Sequence, residues 1–172
     1  MAGPGEGLDR GRFEERARVL IVVSPYHRAI ADALLAGARA EAEAWGAEHE
    51  TAEVPGALEI APAIAMAARL QEFHAFVALG CVVRGETTHY DTVVQESARG
   101  LTTLALAGQP IGNGILTVEN EEQAMVRADP AGQDKGGGAA AAALHLLQLQ
   151  RRWRKPAKQL GFLGDRLGDG ER

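Results

Sequence analysis

Cysteine is nearly absent from this 172-residue chain. Cys81 stands alone, so no intrachain disulfide can form and no cysteine-based zinc spacing exists. Aromatic residues are scarce as well, at 5% of the chain against 46% apolar overall. Alanine and branched aliphatics must therefore fill the core, which favours helices seated close to a sheet or to one another. Nowhere do about eighteen apolar residues run together without a charge, and the opening MAGPGEGLDRGRFEERARVL has no apolar stretch before Val19. A membrane span and a secretory signal are thus not expected, and cytoplasmic residence is. An excess of positive charge is lacking too. The formal net charge of −5 argues against broad attraction to nucleic acid or an anionic membrane surface, and leaves small molecules and further copies of the chain as expected partners.

What is present is an alternation. A chain of this length fits one domain with a substantial core. Residues 1–15, rich in glycine and charge, read as a flexible N-terminal arm; residues 16–154 form the domain; residues 155–172, where basic residues alternate with Gly-Asp pairs, read as a loosely ordered tail. Within the domain RVLIVVS at 18–24 is a continuous β-branched run suited to the middle of a parallel sheet, and Pro25 stops it. Residues 29–45 have a helical period ended by Gly46, 49–54 form a short strand, and 58–70 a helix. AFVALGCVV at 75–83 is a second buried strand, 87–107 a long helix, 110–117 a fourth strand, 120–127 a short amphipathic stretch, and 135–153 the last helix. Strands separated by helices imply right-handed crossovers. The expected fold is α/β, a three-layer sandwich with a central four-stranded parallel sheet of the flavodoxin-like kind, flanked by helices on both faces.

Open sheets of this type bind ligands beyond the carboxyl ends of their strands. The segments at those ends carry the chemistry. RGETTHYD at 84–91 joins a strand to a helix: glycine permits close approach, Thr87 or Thr88 can cap the helix, and a helix start favours an anion such as phosphate. His89 follows in the first turn, an imidazole suited to proton transfer near neutral pH; a capped helix with an incidental surface histidine explains the octapeptide equally well. DKGGG at 134–138 offers Lys135 beside helix amides, although a glycine triplet reads first as a flexible linker. Arg127 can grip phosphate bidentately or face water. Glu59, in VPGALEI at 54–60, can bond a polyol or heterocycle, or simply favour the helix dipole. Tyr26 can stack on a planar substrate. Cys81 reads as a small core residue rather than a nucleophile, and His49, His74 and His145 lack metal-ligand spacing, so no metal is implied.

Four of these pieces occur in order: VPGALEI at 54–60, LGCVVRGETTHYD at 79–91, GNGILTVENEEQA at 112–124 and DKGGGAA at 134–140. Together they resemble the lumazine synthase family over residues 18–149, most of the chain. The resemblance implies condensation of 5-amino-6-(D-ribitylamino)uracil with 3,4-dihydroxy-2-butanone 4-phosphate, without metal or organic cofactor, in riboflavin biosynthesis. It gives His89 the proton transfers, Glu86 and Thr87 the substrate phosphate, and Arg127, from a neighbouring subunit, a second grip on it with Lys135 nearby. Tyr26 takes the place of a ring stacked on the pyrimidine; Ala57, Leu58 and Glu59 meet the ribityl chain; Cys81, Val82 and Val83 meet the ring. Asn113 stands where many members have a phenylalanine, so an amide contact replaces aromatic closure there. The turn Ser24-Pro25-Tyr26-His27 also departs from the common glycine-arginine-aromatic-asparagine form. The resemblance further implies a homo-oligomer, a pentamer first, with a pair of pentamers or a shell of sixty subunits as alternatives, and an association with riboflavin synthase. A paralogue that only binds flavin or builds shells is the alternative; it would be expected to lose the phosphate grip first, and Thr87, His89, Arg127 and Lys135 are all present.

Overall fold

The computed structural model describes residues 8–154; residues 1–7 and the expected tail, 155–172, lie outside the described residues. The continuous apolar runs become β1 (Arg18–Val23) and β3 (Ala75–Val83), which pair in parallel at the centre of the sheet. Their position explains their composition, since a strand covered on both faces has no polar side to show. The sheet order is β2-β1-β3-β4, with every pairing parallel. β4 (Ile111–Val118) and β2 (Glu48–Glu53) form the two edges. β2, with the sequence EHETAE, has almost no apolar residues; its glutamates meet arginines instead, Arg16 to Glu48 at 2.7 Å, Arg28 to Glu53 at 2.8 Å and Arg18 to Glu50 at 3.6 Å.

Helices α1 (Arg28–Ala44), α4 (Glu121–Ala128) and α5 (Lys135–Trp153) cover one face, while α2 (Ala57–Leu70) and α3 (His89–Leu106) cover the other. The expected three-layer α/β sandwich is the observed one. Strand alternation divides β1 between two cores: Val19, Ile21 and Val23 face α1 and α5, whereas Leu20 and Val22 face α2. Of α3, only Ser97 and Leu101 are buried in the described chain.

Three local readings change. The stretch at 120–127 is a helix, α4, started by the Asn120 side chain, which accepts the Gln123 N–H at 2.9 Å, while Gln123 Oε1 accepts the Glu119 N–H at 3.1 Å. Thr88 occupies the N-cap of α3, but neither it nor Thr87 caps: Thr88 already has helical angles (φ −66, ψ −4) and makes no side-chain capping bond. The glycine triplet is no linker. Gly136 and Gly137 are buried in the first turn of α5, and a Cβ on Gly136 would strike the carbonyl oxygen of Leu34 in α1. Likewise a Cβ on Gly112 of β4 would strike the Ala139 carbonyl. Backbone meets backbone at these points, so the glycines serve packing. The chain reverses into α5 through Asp134 in the left-handed region (φ 43), whose carboxylate accepts the Gly137 N–H at 2.9 Å.

Along the amino-terminal stretch, Arg10 pairs with Glu41 of α1 at 2.7 Å, and the half-buried Phe13 ring lies 5.6 Å from Trp45. Arg151 of α5 lies over Phe13 and donates to the Glu15 and Arg16 carbonyls at 3.0 and 2.6 Å. The three histidines outside the motifs are structural: His49 meets Glu43 at 3.2 Å, His145 packs edge-on against Trp45 at 4.7 Å, and His74 Nδ1 accepts the Arg18 N–H at 3.0 Å. Burial, followed by the charges of Arg151, Arg154, Arg18 and Arg16, holds the His74 pKa below its ordinary value, so the ring stays neutral and able to accept.

The glycine contacts generate a paired expectation. Gly112→Ala overpacks the β4–α5 contact and should cost about 1–3 kcal/mol, whereas Gly138→Ala, at a helical site with nothing within 4 Å, should gain up to about 1 kcal/mol. Thermal melts at equal protein concentration measure both; equal melting temperatures for the two variants would contradict the packing account.

Candidate functional site

The connections leaving β1 and β3 depart toward opposite faces of the sheet, and a cleft opens between them at the carboxyl ends. Backbone bonds fix where each loop leaves. The Ser24 N–H donates to Leu79, Val54 to Val23 and Arg84 to Val118, all at 2.9 Å, so the ladder continues past each strand end. The cleft between these exits has a volume of about 400 Å³.

Its walls come from four segments. After β1, buried Ser24 is followed by Tyr26, 80% exposed, whose ring meets the His27 imidazole edge-on at 5.3 Å. His27 Nδ1 in turn sits 3.1 Å from Glu121 Oε1 of α4. The start of α2 supplies Gly56, Ala57, Leu58 and Glu59, the glutamate standing in the first turn where the helix dipole favours a negative charge. The end of β3 supplies Cys81, Val82 and Val83, and the next loop with the first turns of α3 supplies Gly85, Thr87, His89, Tyr90 and Val93. Nine of the expected site residues therefore share one cleft: Tyr26, Ala57, Leu58, Glu59, Cys81, Val82, Val83, Thr87 and His89.

Helix capping distinguishes the helices that open onto the cleft. Helices α4 and α5 are capped by the side chains of Asn120 and Asp134. The N-caps of α1, α2 and α3, namely His27, Gly56 and Thr88, make no side-chain capping bond, and all three helices start at the cleft. First-turn amides without a capping side chain, at the positive ends of three dipoles, favour an anion or carbonyl oxygens.

Four expected residues do not line the cleft. Glu86 is exposed on the loop before α3. Asn113, midway along β4, is exposed and its side-chain oxygen accepts the Ile115 N–H at 3.0 Å. Arg127 donates to the Gln123 carbonyl of its own helix at 2.8 Å, and Lys135 is exposed at the start of α5. Among the described residues, none of those lining the cleft is a lysine or an arginine.

The profile of the 6,7-dimethyl-8-ribityllumazine synthase family matches residues 16–151. The chain belongs to this family. It is 50% identical over 163 residues to the 6,7-dimethyl-8-ribityllumazine synthase of Jannaschia sp. (strain CCS1), covering 94% of this chain and 92% of that one. The protein of that name from Erythrobacter litoralis is 58% identical over 137 residues, 80% of this chain and 98% of its own. The one from Azorhizobium caulinodans is 56% identical over 153 residues, with coverages of 86% and 94%. Within this lumazine synthase fold His27 and Tyr90, which the sequence places in the expected segments without a role of their own, also form the cleft wall. Their signal was adjacency: each follows a residue already singled out, and at the start of a helix consecutive residues can border one cavity.

Cys81 lies on the wall but is buried, and burial, with Glu121 adding to it, pushes its thiol up to about 11. Thiolate is the reactive form, so alkylation of the folded protein should be slow at pH 8 and rise roughly tenfold per pH unit up to about pH 11. A rate that levels off near pH 8.5, as for a free thiol, would show that Cys81 is not shielded from water as its burial implies.

Proposed function

We propose that this protein condenses 5-amino-6-(D-ribitylamino)uracil with 3,4-dihydroxy-2-butanone 4-phosphate, giving 6,7-dimethyl-8-ribityllumazine, phosphate and water, in riboflavin biosynthesis. The observation that carries the reading is the meeting of three helix starts without side-chain caps in a cleft that also holds His89 and Tyr26. The amine of one substrate attacks the carbonyl of the other, and loss of water leaves an imine. Elimination then expels phosphate, and the ribitylamino nitrogen closes the ring with loss of a second water. Each step moves a proton and none needs an electron acceptor, so orientation and proton transfer are the demands on the protein.

In this reading His89 carries the protons, and Glu86 and Thr87 hold the phosphate at the start of α3. Tyr26 stacks on the pyrimidine. Cys81, Val82 and Val83 line its edge, and Ala57, Leu58 and Glu59 bind the ribityl chain. The phosphate requires a cation that the walls of one protomer lack. Arg127 and Lys135 therefore act from a neighbouring subunit, together with Asn113, in a ring of five that gives every protomer one complete site through a repeated heterologous contact. The thin burial of α3 in the single chain supports a further protein surface against it.

Purified protein mixed with both substrates should develop the absorbance and fluorescence of the lumazine; binding of pyrimidine without product would overturn the reading. His89→Ala should slow turnover roughly ten- to a hundredfold, at the low end of acid–base contributions, with folding intact. A wild-type rate for this variant would remove His89 from the chemistry. For the shared site, Arg127→Ala and His89→Ala proteins are mixed under conditions of subunit exchange. Activity should exceed the mean of the two parents, because some boundaries regain an intact pair; activity equal to that mean, with exchange verified by mass, would mean that each subunit owns its site.

A further inference from the structure

The loop that carries Glu86, Thr87 and His89 has no capping side chain to fix its entry into α3, yet one side chain ties it to three neighbours. Arg84, the residue after β3, donates its N–H to Val118 at 2.9 Å, which anchors its backbone to the end of β4. Its Nε lies 3.0 Å from the Glu119 carboxylate beyond β4. Another guanidinium nitrogen lies 3.5 Å from Asp91 in the first turn of α3. The guanidinium carbon stands 4.0 Å from the centroid of the Tyr90 ring, and Tyr90 is itself a wall of the cleft beside His89. A planar group that stacks and pairs in several directions fixes orientation as well as distance, which a lysine ammonium does not.

We infer that Arg84 is a positioning residue: bridging Glu119 to Asp91 and Tyr90, it sets the place of Thr87 and His89 relative to the end of β3. The inference rests on the function proposed above. Its charge is committed to two carboxylates, so Arg84 does not supply the cation for the phosphate. The pairs are exposed and contribute little to stability. Their effect is on geometry, where misplacement of a reacting group by about 1 Å costs up to roughly a hundredfold in rate.

The test compares wild type, Arg84→Ala and Arg84→Lys, each assembled from the full chain, for kcat and for KM of both substrates. Arg84→Ala should lower kcat about tenfold and raise KM for the butanone phosphate, with KM for the ribitylaminouracil unchanged. Arg84→Lys should remain impaired, and low millimolar guanidinium added to Arg84→Ala should restore part of its kcat without affecting wild type. Unaltered kinetics in a folded Arg84→Ala protein, full activity of Arg84→Lys, equal rises in both KM values, or absence of guanidinium rescue would each overturn the inference while leaving the function standing. Wild-type protein that makes no lumazine would overturn both.

Discussion

The site depends on a topological constraint. β1 and β3 are adjacent in the sheet, but the helix after β1 covers one face and the helix after β3 covers the other. The chain cannot fill the space between two connections that diverge, so a crevice is left at the strand ends. Tyr26, Glu59, Thr87 and His89 fall there, because the strands beneath are committed to packing and the loops above are not. The ladder bonds that persist past the strand ends make the rim of the crevice as fixed as the sheet itself.

Close helix seating fixes the layer on one face of the sheet. Gly112 and Gly136 let α5 approach β4 and α1 to backbone contact, and Asp134 uses its carboxylate to close the first turn of α5. The Gly137 amide at the start of this helix is thus satisfied within the protein. At the cleft the situation differs: the N-cap positions of α1, α2 and α3, His27, Gly56 and Thr88, make no side-chain bond to the first turn. The first-turn amides that border the cleft are therefore left to a ligand or to solvent.

The central strands, the long helices and a cleft at the strand ends were legible because they rest on periodicity and on the rule for parallel sheets. β2 was legible mostly by position, since EHETAE has little strand character beyond its alternation, and its arginine partners lie on other segments. The glycine triplet misled because a linker and a tight helix contact have the same local sequence; what separates them is Leu34, about a hundred residues away in the chain. Phe13 is one aromatic in a charged arm, and only the presence of Trp45 and Arg151 opposite it gives it a place to dock. The role of Arg84 was equally invisible in the sequence, since Glu119 comes to it through the β3–β4 register. Glu86, Asn113, Arg127 and Lys135 are the expected residues that a single chain does not bring to the cleft, and no local pattern could show that, because it depends on where other segments lie.

The outer strand has a colloidal consequence. β2 leaves one row of backbone donors and acceptors unpaired in the described chain, the usual invitation to edge-to-edge association. Here the row is lined by Glu48, Glu50 and Glu53, and arginine partners hold Glu48 and Glu53 below the usual carboxylate range. The charges of these two pairs persist as the solution is acidified, so a second strand approaching this edge would have to strip water from paired charges before its backbone could reach the ladder. Solubility of the exposed strand is therefore protected by the same ion pairs that hold its glutamates in place, and the protection extends to a lower pH than free carboxylates would allow.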